Sequence, residues 1–332
     1  MTTPVAALLA LFDQRDRVGA LQLAHDLLDQ GWTRERLITD LLAPAQREVG
    51  GLWEAAEWNV AQEHAATAIT DSVLSALALE LPADTGRPHE VFATCAEGDW
   101  HTLPVRMFAE LLTLDGWPIT LVGPSAPQDH LRQFLAQRRP FAIAIGCSVP
   151  IFLPGVKGMV DAAAAAGVPA LVGGAGCGPD SRRATALGAH WAPDASGASR
   201  LLDSWTRHGV PDPPGPLEHP VAAKLTAVRP ELVEEAFDLL AERHPLMGQL
   251  TERQLQRTAE DLDYILQFLE AAVLTEDRRI IEDFVPWLQN VLTGRGLPAD
   301  VVPTTLRTLA ECVPADFEPA AEWIRAAADA HV

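Results

Sequence analysis

Asp99-Trp100-His101 sets an imidazole two residues after a carboxylate. A neutral imidazole is a good ligand for cobalt-like transition metals. A carboxylate that takes the ring's other N–H fixes the tautomer and makes the ligating nitrogen more basic. On that ground His101 is a candidate metal ligand and Asp99 its orienting partner. A capping or solvent-facing loop histidine is the competing reading. Further toward the N-terminus, Trp53 is followed after nine residues by Glu63-His64. An indole can seal an apolar cavity while neighbouring polar groups hold hydroxyl or amino groups at its mouth. Ordinary packing in a helical bundle is the alternative.

The elements that must position these residues can be read from periodicity. Over residues 1–82 apolar side chains recur at helical spacing, as in Leu21, Leu23, Leu27, Leu28 and then Leu37, Ile38, Leu41, Leu42. Asn59 and Gln62 form an Asn-x-x-Gln variant of the capping box, which puts Glu63 and His64 in the first turns of a helix. Trp53 then ends the preceding helix, across a short corner. A four-helix bundle is expected. Residues 83–88 have linker composition.

From there to residue 208 the texture changes. Apolar runs at Val91–Cys95, Ile119–Val122, Ala142–Cys147, Ala170–Val172 and, weakly, Ala189–Ala192 alternate with helical patterns at about 103–115, 127–138, 153–166 and 179–187. This rhythm predicts an α/β domain over 89–208, doubly wound and flavodoxin-like (Rossmann-like), with strand order 2-1-3-4-5. His101 falls just past the first strand. The loop Cys147-Ser148-Val149 follows the third, and Gly173-Gly174-Ala175-Gly176 the fourth. All three loops open on the carboxyl edge, where such sheets bind ligands. Ser148 offers a small hydroxyl, and the glycines allow close backbone approach. Pro-rich residues 209–220 predict a semi-rigid linker, and 221–332 an all-helical domain of five or six helices.

Composition narrows the function classes. The 332 residues carry a formal net charge of -20, which disfavours unaided binding to nucleic acid or to an anionic membrane. The four cysteines, Cys95, Cys147, Cys177 and Cys312, form neither a CxxC pair nor a disulfide framework, so a reducing cytoplasm is expected. No signal peptide or membrane span is read. No nucleophile–base constellation or metal-hydrolase spacing stands out. His130, His190 and His208 are expected at the surface or in caps, and Trp58, Trp100 and Trp117 as packing groups.

Asp99-x-His101, the Ser148 loop and Gly173-Gly174 together resemble the cobalamin-binding fold. Its pattern is Asp-x-His-x-x-Gly, then a Ser-x-Leu loop, then Gly-Gly. The resemblance implies that His101 is the lower axial ligand of cobalt, with Ser148, Val149, Gly173 and Gly174 beside the nucleotide tail. Pro104 stands where the motif has glycine, and Pro150 where it has leucine. Trp53 with Glu63-His64 resembles the Trp-x9-Glu-His motif of cobalamin photoreceptors, which implies an adenosylcobalamin whose upper face these residues cover. Where some relatives have a histidine after the tryptophan, this chain has Glu54.

The whole arrangement is similar to the photocobilins, in which a cobalamin domain is followed by a globin-like domain that holds biliverdin. That likeness implies a light-dependent homo-oligomer, a dimer, and a downstream signalling protein. It also makes Arg253, Arg257, Tyr264 and His244 candidates for the bilin, with Asp261 and Trp287 nearby in sequence. An exposed ladder of charges is the alternative for Arg253, Arg257 and Asp261. Cys312 is either a bilin attachment point or a buried structural thiol. A corrinoid methyl carrier of a methyltransferase system, and a cobalamin-binding adaptor without photochemistry, are the competing functions.

Overall fold

The computed structural model describes residues 3–78, 87–213, 220–314, 317 and 319–330. Most of the linker expected at 83–88, and residues 214–219 of the Pro-rich linker, lie outside them. The chain divides into two compact units. The first comprises Met1–Gly146, Ala162–Gly174 and Ala192–Pro211; the second comprises Cys147–Asp161, Ala175–Trp191 and Asp212–Val332.

The first unit opens with four helical rods. They are α1 (Pro4–Asp13), α2 (Arg17–Asp29), a composite rod and α5 (Val60–Ala78). Local chemistry sets their ends. Thr3 caps α1 through a 3.2 Å bond from the Ala6 N–H, and Pro4 fills the first turn, where a missing N–H costs nothing. Asp16 caps α2 through the Gly19 N–H at 2.8 Å. The third rod runs α3 (Arg34–Leu37), a π-helical turn (Ile38–Leu42) and α4 (Ala43–Glu54). Pro44 explains the π turn. It cannot donate to an α-helical partner, and a wider turn just before it removes that demand. Leu8, Phe12, Leu37, Leu41, Leu42 and Leu74 are buried in the common core, which also takes in Leu103 and Met107 of α6 (Thr102–Leu114).

The sheet has the order β2-β1-β3-β4-β5, as its apolar runs predict. Its strands are β1 (Val91–Cys95), β2 (Ile119–Gly123), β3 (Ala142–Gly146), β4 (Ala170–Gly173) and the short β5 (His190–Trp191). β1 pairs in parallel with β2 and β3, and β3 with β4. The crossover helices are α6, α7 (Gln128–Arg138), α8 (Leu153–Ala165) and α9 (Arg182–Leu187). One further helix, α10 (Ala195–His208), was not expected. It is capped by Asp194, which accepts from the Gly197 N–H at 2.6 Å. α6 and α10 cover one face of β1, β3 and β4, with Trp117 and Trp205 buried there. The Trp117 indole N–H donates to Ser199 Oγ at 3.0 Å.

In the second unit, α11 (Pro220–Arg243), α12 (Glu252–Thr275), α13 (Arg279–Gly294), α14 (Val301–Cys312) and α15 (Ala320–Asp329) supply the helices. The Thr251/Gln254 box forms at the start of α12, with the Thr251 N–H donating to Gln254 Oε1 at 2.9 Å. Leu225, Leu240, Leu266, Leu269, Leu306 and Ile324 are buried. Among the described residues, no helix is long and apolar enough to cross a membrane.

Candidate cobalamin site

Cys95 of β1 pairs with Gly146 of β3, and Gly146 with Gly173 of β4. The three strands therefore end in one row, and the loops carrying His101, Ser148 and Gly174 leave from that row. The first loop turns sharply. The Ala96 N–H donates to the Gly146 carbonyl at 2.8 Å, the Asp99 N–H to the Ala96 carbonyl at 3.0 Å, and Gly98 adopts φ +87°. Only glycine takes that conformation without strain.

The turn folds Asp99 inward, where it is 0% exposed, and leaves the His101 side chain 59% exposed. Asp99 Oδ1 accepts from the His101 N–H at 2.9 Å and lies 2.7 Å from His101 Nδ1. A proton on Nδ1 then leaves the lone pair on Nε2, the tautomer a metal bond requires. The Asp99 hydrogen bond raises the His101 pKa. Burial opposes this, and the charges of Asp99 and Glu63 add to the rise. Burial, with the Asp99 charge, pushes the neighbouring Cys95 thiol up to about 12.

On the bundle side, Trp53 sits in the last turn of α4 and is half-buried. The corner 55–59 includes Ala56 at φ +58°, and the capping box closes it. The Gln62 N–H donates to Asn59 Oδ1 at 3.1 Å, and the Asn59 N–H to Gln62 Oε1 at 3.0 Å. Glu63 and His64 follow in the first turns, 3.4 Å apart. The spacing did not reveal what steadies Glu63. Thr67 Oγ1 lies 3.0 Å from Glu63 Oε1 and 3.1 Å from the Gln46 side-chain amide, whose other end is 2.7 Å from Thr70 Oγ1. One hydroxyl hydrogen cannot serve two acceptors. Thr67 therefore donates to Gln46 Oε1 or to Glu63 Oε1 at any one time, while Gln46 Nε2 donates to Thr70 Oγ1, whose own hydrogen goes to the Ala66 carbonyl at 3.1 Å. Glu63, Thr67 and Thr70 share one helix face, and that stripe was the readable signal. Arg106 of α6 also went unread. It pairs with Asp71 and donates to Ser75 Oγ at 2.9 Å, tying α5 to the helix that starts beside His101.

The glycines of the predicted tail loops are under tight steric limits. A Cβ on Gly173 would lie 2.7 Å from the Ala192 carbonyl oxygen, and Gly174 has φ +96°. Val105, next to Pro104, packs directly on Gly146. In the second unit, Ser148 and Val149 follow β3. The Gly176 N–H donates to the Cys147 carbonyl at 2.9 Å, and a Cβ on Gly176 would lie 2.6 Å from Cys147 Sγ.

The C-terminal candidates divide. Arg253, Arg257 and Tyr264 run along an exposed face of α12. His244 lies beyond α11 and accepts from the Leu246 N–H through Nδ1 at 3.2 Å. An aromatic ladder links Tyr264 to Phe268 (6.2 Å), Phe284 (3.7 Å) and Trp287 (5.8 Å). Two expectations need correction. Trp100 is no packing group: it is 72% exposed, on a loop whose turn buries Asp99 instead. His190 is a half-buried member of β5 rather than a surface residue. All four cysteines are buried and outside any disulfide, and burial agrees with the structural-thiol reading of Cys312.

Among the described residues no group of three or more His, Cys, Asp or Glu side chains could hold a metal ion by itself. A metal on His101 must bring its remaining ligands with it, and a corrin does so. The donor set fits: one oriented imidazole, a polar cap, and loops that leave the same row of the sheet.

Comparison with known proteins agrees. Residues 6–78 match one family described as a B12 binding domain, and residues 90–198 match another of the same description. No curated protein matches the chain. Among solved structures, the monomethylamine corrinoid protein of Methanosarcina barkeri superposes with a TM-score of 0.52 at 21% identity, covering 59% of this chain and 95% of its own. A methanol:cobalamin methyltransferase complex from the same organism gives 0.34 at 16% identity, covering 63% and 81%. A cobalamin-binding protein of Desulfitobacterium hafniense gives 0.33 at 15%, covering 60% and 97%. The chain thus contains a helical and a Rossmann-like B12 binding domain, and its cofactor is a cobalamin or a related corrinoid.

Proposed function

We propose that the protein is a light sensor that binds adenosylcobalamin with His101 below the corrin and Trp53, Glu63 and His64 above it. The observation that carries the binding mode is the 2.7 Å contact between His101 Nδ1 and the buried Asp99. The light-sensing assignment is supported by the Trp53-x9-Glu63-His64 pattern at the α4–α5 corner. The bound cofactor supplies a cobalt–carbon bond that light can cleave.

The chain's own residues explain how that event would be felt. Trp53 would cover the upper face, and Glu63 presents a carboxylate 3.0 Å from Thr67 Oγ1. An occupied upper face favours one placement of the bundle, and its loss removes the bias. Arg106, which ties α5 to α6, lies where such a shift would be absorbed. With Glu54 rather than an imidazole after Trp53, His64 or water is left to serve the upper position. The output is a light-dependent change of homo-oligomer, a dimer, read by a downstream signalling protein. No enzyme chemistry is assigned.

The C-terminal helices are proposed to form a globin-like domain for biliverdin. The ladder Tyr264–Phe268–Phe284–Trp287 offers aromatic surface, and Arg253 and Arg257 offer cations for propionates. A corrinoid methyl carrier is the second reading, favoured by the name of the Methanosarcina monomethylamine corrinoid protein. The two separate in one experiment. Protein loaded with adenosylcobalamin in the dark should change its absorption irreversibly in green light without substrate, and change its elution volume. A light-stable spectrum with turnover of a methyl group supports the carrier. Biliverdin titration tests the C-terminal assignment: no red-absorbing complex supports an adaptor.

A further inference from the structure

Arg183 is 3% exposed and Asp277 is 1% exposed, and neither belongs to the predicted cofactor contacts. Inside the second unit Arg183 Nε donates to Asp277 Oδ2 at 2.8 Å, and Arg183 Nη1 to the Gly176 carbonyl at 3.0 Å. Arg279 completes the cluster, donating to Asp277 Oδ1 at 2.7 Å and to Asp180 Oδ2 at 2.9 Å. A buried ion pair is a poor source of stability, because desolvation offsets most of the attraction. Fixing one arrangement is a better reason for it. Here the guanidinium of Arg183 joins the α12–α13 corner to the backbone of the loop that follows β4.

That loop is itself locked to the one after β3 by the Gly176 N–H on the Cys147 carbonyl, at 2.9 Å. The turn Pro150–Phe152 and helix α9 both pack on α12. By sequence, these are the loops that carry Ser148 and Gly174.

We infer that Arg183 and Asp277 are positioning residues for the cobalamin tail, holding the loops after β3 and β4 in the shape that admits the nucleotide end of the cofactor. This rests on the cobalamin reading above. It makes tail binding and the α12–α13 corner mutually dependent, because coupling between two sites is reciprocal. The corrin ring and its axial histidine lie outside the device, so a corrinoid lacking the nucleotide tail is indifferent to it.

The test uses the full chain in the dark, titrated with hydroxocobalamin and with cobinamide, which lacks the tail. Asp277→Asn should weaken cobalamin binding by about tenfold or more and leave cobinamide within about threefold of wild type. Arg243→Gln, which breaks the exposed pair with Glu311, serves as a control and should change neither. In wild type, cobalamin but not cobinamide should slow amide exchange at the α12–α13 corner. A folded Asp277→Asn protein that binds both probes normally, or loses both equally, overturns the inference. Should that variant not fold, the wild-type exchange decides: equal protection by both corrinoids, or by neither, overturns it. Failure of wild type to bind either probe overturns the cobalamin reading and this inference with it.

Discussion

His101 and Asp99 work as one group. The carboxylate lies at Nδ1, and so it sets which ring nitrogen carries the proton and leaves Nε2 its lone pair. Replacing it by an amide keeps the shape and removes the charge. Asp99→Asn should therefore lower cobalamin affinity by about 10- to 100-fold, measured by absorbance titration; unchanged affinity would show that the pair does not tune a ligand. The thiols give a second prediction. Burial drives Cys95 to about 12, with Asp99 adding to the shift, and drives Cys312 to about 11 with help from Glu235 and Glu311. Both stay protonated through neutral pH and cannot act as thiolates. Iodoacetamide should label native protein slowly at pH ~8 and denatured protein fast, and covalent bilin attachment at Cys312 is not expected. At this scale the sequence shows short-range pairs well. Asp99-x-His101 and Asn59-x-x-Gln62 are each carried by one turn of backbone. The Gln46–Thr67–Glu63 network joins two helices, and no local spacing announces it.

Elements were legible where periodicity was uninterrupted. The apolar runs of β1, β3 and β4 are short, almost wholly buried and flanked by turn residues, and β2, at the edge of the sheet, is a short half-exposed run, so the sheet order follows from connection rules. α10 is not legible in the sequence because it begins Ala-Ser-Gly-Ala-Ser, small residues that read as loop. Its cap at Asp194 and the burial of Leu202 and Trp205 make it a helix. The π turn at Ile38–Leu42 also went unread, since its bond from the Ala43 N–H to the Ile38 carbonyl depends on where Pro44 falls in the rod. The α5 cap makes a testable contribution. Asn59→Ala removes the acceptor for the Gln62 N–H and should cost about 1 kcal/mol in denaturant unfolding. Because the same corner sets Glu63, the variant should also bind adenosylcobalamin more weakly. A stability loss with wild-type affinity would separate the cap from the site.

For the molecule as a whole, the sequence suggested cuts at linkers, whereas the compact units cut through the α/β region. Cys147–Asp161 and Ala175–Trp191 group with Asp212–Val332. The turn Pro150–Phe152 and helix α9 pack on α12, and composition carries no trace of such long-range packing. The ion cluster in the second unit makes its stability depend on acid. Hydrogen bonds from Arg279 and from the Arg182 N–H hold Asp180 down at about 2. Burial alone would raise Asp277, but hydrogen bonds from Arg279 and Arg183 outweigh it and lower its pKa. A carboxylate whose folded pKa lies below its unfolded value stabilises the fold above the usual carboxylate range, and that contribution is lost as pH falls through the folded value. Thermal unfolding should therefore be flat above pH ~5 and drop toward pH ~2, less steeply in Asp180→Asn.

The proposed function depends on one bond, from His101 to cobalt. Electron paramagnetic resonance of the cobalt(II) form tests it directly, in protein whose histidines carry nitrogen-15 while the cofactor does not. Axial coordination by His101 predicts that the nitrogen splitting changes from triplets to doublets on labelling, and that His101→Ala abolishes the doublets. Triplets that persist unchanged in labelled protein would mean that the cofactor's own base still holds the cobalt, and would contradict the account.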